Sequence, residues 1–294
     1  MTPVTLYHSA DTDAPQLTGA AGSLKTLLKA CLVSGYGGKQ PLGWTMPFEE
    51  DHKAVFKSAD PKSTQPCLLV DNPKPKFATL QLYQKMTAIN KGEGFFGLGA
   101  VSAAGLDKFG YFNSQSPKWW LAGHGAAFVF AVKLESYEQS MLFYFGDVRG
   151  LGAHKTALYW SNADGREYAA GGNRLQSVTA SSGGNPGVLS RSFGNVAAAQ
   201  SRLISATDLA NASNRPPYPD PITAGLVADA VHLSETSGSQ ILSVAALDGF
   251  LCVLNDLSRV AEGTQIQMDG DDDVWLKFSS TNAQHFLINA SQWS

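Results

Sequence analysis

The sequence predicts a mainly β (α+β) protein in which antiparallel sheets build a sandwich-like core, with one amphipathic helix near the N-terminus. Three observations carry that expectation. Short apolar runs recur along the 294 residues, separated by Gly, Asn, Asp and Pro, the punctuation of strands joined by turns. Only one stretch has clear helical periodicity. The composition is 44% hydrophobic and 10% aromatic, enough to bury a core rather than remain disordered. Charged residues make up only 16%, against about 25% in an average soluble domain. With 29 glycines, this suits many tight turns or a surface partly covered by neighbours.

Thr5 to Ala10 reads as a short extended arm. From Ala20 to Val33, Leu24, Leu27, Leu28, Cys31 and Leu32 fall at i, i+3, i+4, i+7 and i+8, one face of an amphipathic helix. Gly35 follows where a left-handed C′ residue ends a helix. Cys67–Val70 is a strand-like run between Pro66 and Asp71-Asn72-Pro73, and Thr79–Met86 alternates weakly. Ala126–Leu134 sets Phe128, Phe130, Val132 and Leu134 on one face, and Ser140–Phe145 does the same for Met141, Phe143 and Phe145. Their five-residue polar connection, 135–139, predicts a β-hairpin whose second strand ends at Gly146-Asp147. Ile241–Ala246, Phe250–Leu254, Val274–Phe278 and His285–Asn289 supply further strands. The alanines of Asn195–Ala212 predict a second helix.

Two stretches read as loops or linkers. Ala180–Pro186 is Gly/Ser-rich and flexible by composition. Asn214–Pro221 holds four prolines in eight residues and is expected to be extended and stiff. A boundary near the first gives an N-terminal unit over residues 1–180, with arm, helix and β-rich part, and a β-rich C-terminal unit over 181–294; a single domain is the alternative. There is no internal repeat of fixed period.

The net charge of −3 and the scattered Lys and Arg are not the footprint of a nucleic-acid binder. No basic n-region precedes an apolar h-region at the N-terminus, and no run approaches the roughly 18–20 apolar residues of a membrane span. The expectation is therefore a chain made and assembled in the cytoplasm. Cys31, Cys67 and Cys252 are far apart and lack CxxC spacing, so they read as buried thiols rather than metal ligands.

Motifs that would carry chemistry are sparse. The histidines at 8, 52, 124, 154, 232 and 285 show no HExxH or HxH spacing. Cys31 or Cys67 with His52 or His124 is a pairing that any chain with this many Cys and His offers, and it carries little weight. GxSxG is absent. Gly35-Tyr36-Gly37-Gly38-Lys39 follows a helix rather than a strand, the wrong context for cradling phosphate. Asp269, Asp271 and Asp273, between two strand-like runs, are the candidate cation ligands. They lack the EF-hand order and read more simply as a hairpin turn. Trp44, Trp119, Trp120, Trp160, Trp275 and Trp293 are sugar-stacking candidates, although aromatics in strands are usually core or interface anchors. No catalytic residue and no cofactor is expected.

From Ala14-Pro15-Gln16-Leu17 through Gly22-Ser23-Leu24 and Ala30-Cys31-Leu32-Val33 to Gly35-Tyr36-Gly37, the chain resembles virion structural proteins of tailed bacteriophages and prophages. These open with an APxLxGxAGSLxxLLDACLVxGYG stretch, followed by GWTxxF and a Lys-Ala-Val-Phe/Tyr run. Here those are Gly43-Trp44-Thr45-Met46-Pro47-Phe48 and Lys53-Ala54-Val55-Phe56. Trp119 or Trp120, Phe128 to Leu134, and Phe145-Gly146-Asp147 resemble the family's central W…FY…FGD pattern. The likeness is strongest over the first 60 residues, extends to about residue 150, and is faint from Leu251 to Trp293. Lys29 stands where the family carries Asp, and Lys74–Lys76 where it has a plain strand and turn.

The resemblance implies a virion component of the tail, collar or baseplate, working through subunit packing with other virion proteins and as a homo-oligomer. A receptor- or glycan-binding appendage and a capsid decoration protein are the alternatives. It carries over no catalytic residues. Rings and shells use arms and loops that reach neighbours, so Thr2–Ala14 and Asn214–Pro221 are the expected contact segments, with Tyr7, His8, Pro216, Pro217 and Tyr218 as interface candidates.

Overall fold

Leu24, Leu27, Leu28, Cys31 and Leu32 are all fully buried, so the periodic stripe is what docks the helix on the core. The computed structural model describes residues 1–18, 20–73, 77–96, 107–110, 117–133, 140–151, 155–161, 187–192, 199–200, 202–204, 215–237, 240–268, 270, 272–279 and 285–293. Helix α1 (Ser23–Lys29) runs into a single π-helical turn (Ala30–Ser34). That turn is closed by the Gly35 amide donating to the Ala30 carbonyl at 2.8 Å. Lys29 pairs with Glu49 at 2.8 Å on the surface, so an exposed lysine is accommodated there; such a pair contributes about 0–1 kcal/mol.

The strands are β1 (Thr2–Pro3), β2 (Thr5–His8), β3 (Trp44–Glu49), β4 (Lys53–Ser58), β5 (Cys67–Asp71), β6 (Phe77–Ala88) and β7 (Lys91–Phe96). Then come β8 (Asp107–Gly110), β9 (Trp119–Gly123), β10 (Ala127–Lys133), β11 (Ser140–Gly150), β12 (Thr156–Ser161), β13 (Gly187–Ser192) and β14 (Ala199–Gln200). The last are β15 (Arg202–Ile204), β16 (Ala228–Ser237), β17 (Gln240–Val253), β18 (Gln265–Gln267), β19 (Val274–Ser279), β20 (His285–Asn289) and β21 (Gln292–Trp293). The mainly β expectation holds: the sheets are antiparallel and form a curled half-barrel with one short helix.

A six-stranded sheet runs β3-β4-β5-β6-β7, with β8 on β6. A 13-stranded sheet runs β14-β13-β12-β11-β17-β20-β19-β18, with β10, β9 and β2 branching from β11, and β16 and β15 branching from β17. The β11–β17 rungs, Arg149↔Ala246 and Gly150↔Ala245, join strands from either side of residue 180.

The predicted pairing of the two runs is present, with Phe128 opposite Phe145 and Lys133 opposite Ser140, while Leu134 and the connection 135–139 lie outside the described residues. The runs are apolar on both faces because both faces are covered. Phe128, Phe130, Val132, Met141, Phe143 and Phe145 pack with α1 and the six-stranded sheet. Val129, Ala131, Leu142 and Tyr144 pack with Leu233, Phe250, Phe286 and Ile288 of the C-terminal strands. The central strands are thus the middle of three layers.

Three expectations need correction. The strand through Phe145 does not end at Gly146-Asp147 but continues to Gly150, because Gly146, at φ 127°, keeps its place in the ladder opposite Leu158. No helix occupies the described part of Asn195–Ala212: Ala199–Gln200 and Arg202–Ile204 are strands, paired with β13 and β16. Partner strands outweigh alanine's helical propensity there. The rest of that stretch and the Gly/Ser run 180–186 lie outside the described residues.

The third correction concerns the arm. β1 pairs with β21 and β2 with β9, and Tyr7 is fully buried, donating its hydroxyl to the Gln40 carbonyl at 2.5 Å. The first residues are an edge of the chain's own sheet. Deleting residues 1–8 is therefore expected to cost at least about 3 kcal/mol, since truncating one buried aromatic alone costs roughly 3–5 kcal/mol. Thermal or urea unfolding of the truncated chain measures this directly. Among the described residues no helix is long and apolar enough to cross a membrane.

Candidate functional site

The residues that carry the family resemblance lie where the N-terminal block meets the central hairpin. Trp44, at the start of β3, donates its indole N–H to the His124 carbonyl at 3.1 Å. Its ring meets Phe128 edge-on at 5.3 Å and Phe145 at 5.8 Å. Ser58, at the end of β4, donates to the Gly125 carbonyl at 2.5 Å. Asp147, beyond Gly146 on β11, accepts the Thr64 amide at 2.9 Å and the Thr64 hydroxyl. Burial pushes the Asp147 carboxyl above its ordinary range, opposed by those two bonds. Each of these groups is used to fasten one part of the chain to another.

The Gly35–Lys39 turn does the same at the other end of the helix. Tyr36 and Lys39 exchange backbone hydrogen bonds at 3.3 and 2.7 Å across Gly37 and Gly38. Both glycines have positive φ, 52° and 83°, the requirement of a two-residue turn of this hand. Lys39 Nζ and the Tyr36 hydroxyl reach Asp11 at 2.7 and 2.8 Å, and His8 Nε2 lies 3.1 Å from the same carboxylate. Those donors hold the Asp11 carboxyl below its ordinary value although burial opposes them.

A polar network that sequence inspection did not single out lies on the outward face of the β17–β20–β19 ladder. Lys277, 1% exposed, is 2.7 Å from Glu262 Oε1 and donates to the Val260 carbonyl at 2.6 Å. Glu262 Oε2 accepts the Ser140 hydroxyl at 2.6 Å and the Ser279 amide at 2.9 Å. The carboxylate therefore ties the start of β11 to the end of β19. Next to it, Ser279 Oγ lies 3.0 Å from His285 Nδ1, and His285 Nε2 lies 3.3 Å from Asp256 Oδ1.

Ser279, His285 and Asp256 are the residue types of a hydrolytic triad, but their layout is the reverse of a working one. The serine is sealed beneath the surface, 3% exposed, while the aspartate side chain is 46% exposed. A nucleophile needs the accessible end. The thiols offer no better nucleophile, because burial raises both Cys31 and Cys67, the opposite of activation. A lysine amid the apolar run Val274-Trp275-Leu276-Lys277-Phe278 is the one local signal from which this network could have been found.

The remaining candidates are dispersed. Asp273 Oδ2 accepts the Asn289 and Gln292 side-chain amides at 2.7 and 3.1 Å, while Asp269 and Asp271 lie outside the described residues. Among the described residues no three His, Cys, Asp or Glu gather to hold a metal ion. His52 lies 3.5 Å from Asp71, and His154 is outside the described residues. Trp44, Trp119, Trp160, Trp275 and Trp293 are buried and cannot act as sugar platforms. Tyr7 is in the core and His8 is half-buried.

The proline-rich segment is different. It is not a plain extended stretch but is folded around Asp220, whose carboxylate accepts the Ile222 and Thr223 amides at 2.9 and 2.8 Å. Asn255 Nδ2 donates to Pro217 at 3.0 Å and the Asp256 amide to Pro216 at 2.9 Å. On this braced loop Tyr218 is 45% and Ile222 92% exposed. No protein-family model matches the chain. No curated protein sequence matches it either.

Proposed function

We propose that the chain is a structural component of a tailed-phage virion, of the tail, collar or baseplate, that acts by packing against copies of itself and other virion proteins. It is placed in the particle after assembly in the host cytoplasm, without a membrane or a specific nucleic-acid partner. The observation that supports the reading is the use made of the motifs that resemble those of phage virion proteins. Trp44, the Gly35–Lys39 turn and Phe145-Gly146-Asp147 all fasten one part of the chain to another. A resemblance carried by residues that brace the chain, rather than by a catalytic group, supports an assembly subunit.

The contact region in this reading is the braced loop with Pro216, Pro217, Tyr218 and Ile222. A large apolar side chain on a loop that is already ordered loses little entropy on docking, and tyrosine is among the commonest interface anchors. A glycan-binding appendage would need several exposed aromatic rings. Tyr218 is the single aromatic among the large exposed hydrophobics of the described residues, so the packing reading is preferred.

The test is to purify particles from the producing host by density gradient and quantify this chain by mass spectrometry. A fixed stoichiometric amount is expected, and absence from the particles would overturn the reading. The Tyr218→Ser, Ile222→Ser double variant should keep its folding stability within about 0.5 kcal/mol, as surface changes do. Its incorporation should fall at least about tenfold, because losing an anchoring tyrosine costs roughly 2 kcal/mol or more.

A further inference from the structure

His285 sits on the central strand of the β17–β20–β19 ladder, 1% exposed, with Val253 and Ser279 as its cross-strand neighbours. Those ladders hold its backbone from both sides. The neutral ring satisfies both contacts in one tautomer, with Nε2–H donating to Asp256 and Nδ1 accepting from the Ser279 hydroxyl. Lys277 from β19, Arg215 from the segment before β16 and Asp256 from the turn after β17 are the charged groups around it. Glu262 is committed to Lys277 at 2.7 Å.

The loop over residues 215–227 is fastened to the same place. Arg215 Nη1 donates to the Val253 carbonyl at 2.7 Å, and its Nε is buried with no hydrogen-bond partner. The Asp256 amide donates to Pro216 at 2.9 Å, Asn255 Nδ2 to Pro217 at 3.0 Å, and the Val227 amide to Asn255 Oδ1 at 2.7 Å. The Leu254 amide closes the far end on the Val227 carbonyl at 2.8 Å. Both ends of the loop therefore rest on Val253–Asp256, and the Asp256 carboxylate rests on His285. Beneath them lie Val253, Leu257 and Leu287, packed with Leu226 and Val260.

We propose that His285 is a proton-operated latch: mild acid charges its ring, expels Arg215 and frees the 215–227 loop, uncovering the apolar surface of Val253, Leu257 and Leu287. The proton adds at Nδ1, which turns from acceptor to donor towards Ser279 Oγ and places a third cation beside Lys277 and Arg215. Lys277 is anchored by Glu262 and the Val260 carbonyl. Arg215, half-buried with an unpartnered Nε, is the cation that moves.

Burial first, then Lys277, hold the ring down at about 4 against an ordinary 6.5, with Asp256 opposing. A lowered folded value means the closed loop is fully favoured above pH 6.5 and loses its advantage as the pH falls towards 4. Asp256 is itself lowered below 3.8 and stays ionised through that window. Loop opening should thus rise on the order of fiftyfold between pH 7.5 and 4.5.

The experiment is hydrogen exchange by mass spectrometry on the full chain at pH 7.5, 6.0 and 4.5, corrected for the intrinsic pH dependence of exchange. Peptides containing Ala224, Val227, Leu254 and Asp256 should lose on the order of fiftyfold in protection, while β4–β5 peptides do not change. His285→Gln, which cannot take up the proton, should show no acid-dependent loss. Unchanged loop protection in the wild type, loss shared with β4–β5, or the same loss in the variant each overturns the latch. A wild-type NMR titration decides the matter even if the variant fails to fold. The loop amides should shift with the midpoint of the His285 ring, and a different midpoint rejects the proposal.

Discussion

Glu262→Ala is expected to destabilise the fold by about 3–5 kcal/mol, the cost of leaving a buried partner charge uncompensated. The lysine left behind, Lys277, is 1% exposed and would retain only the Val260 carbonyl at 2.6 Å from the contacts described above. The Ser140 hydroxyl and the Ser279 amide lose the Glu262 acceptor in the same step, so this β11–β19 tie goes with the charge. Burial of an ion pair is weak evidence that the pair itself stabilises, because desolvation offsets much of the attraction. Glu262→Leu with Lys277→Met should therefore recover most of the loss. Urea unfolding of the three chains tests both parts, with the midpoint falling for the single variant and returning for the double. A single-variant cost below about 1 kcal/mol, the range of an exposed pair, would show that the carboxylate is not enclosed as described.

Gly146→Ala is the second large effect, expected at about 3 kcal/mol or more. Two costs combine. The residue sits at φ 127°, a region that strains any side chain by roughly 1–3 kcal/mol. An added Cβ would also lie 2.3 Å from the Ala126 carbonyl oxygen and 2.5 Å from the Ala127 Cα. Both are fixed backbone atoms, Ala127 in the β10–β11 ladder and the Ala126 carbonyl by the Asp147 amide at 3.1 Å, and overpacking of this kind costs about 1–3 kcal/mol. Gly38→Ala is the matched control, because φ is 83° there but nothing lies within 4 Å of the added atom. It should cost only the conformational part, about 1 kcal/mol. Equal unfolding midpoints for the two variants would rule out the close approach of the two strands.

These two sites differ in how far they could be read in advance. Phe145-Gly146-Asp147 is a recognisable triplet, and its glycine suggested a turn that would end the strand. The ladder instead carries on to Gly150, because β12 and β17 pair with that stretch from either side and no local preference reports such partners. Glu262 had no local signal at all, being a carboxylate in a loop. Its meaning comes from Ser140, 122 residues away in sequence.

Local pattern determined the elements. Leu24, Leu27, Leu28, Cys31 and Leu32 specify a helix because 3.6-residue periodicity puts them on one face. The apolar runs 127–132 and 141–145 specify central strands, since β-rich, uninterrupted apolar segments are stable only when both faces are covered. Tertiary structure alone decided what those elements do together. It turned the first eight residues from a reaching arm into a paired edge, and 199–204 from a helix into strands. It also brought the buried Glu262, Lys277, Ser279 and His285 together, with the exposed Asp256 at their rim. The physical reason is that periodicity reports whether a segment has a face to bury, whereas edge pairing and charge neutralisation depend on distant partners whose identity is settled only when the chain closes on itself.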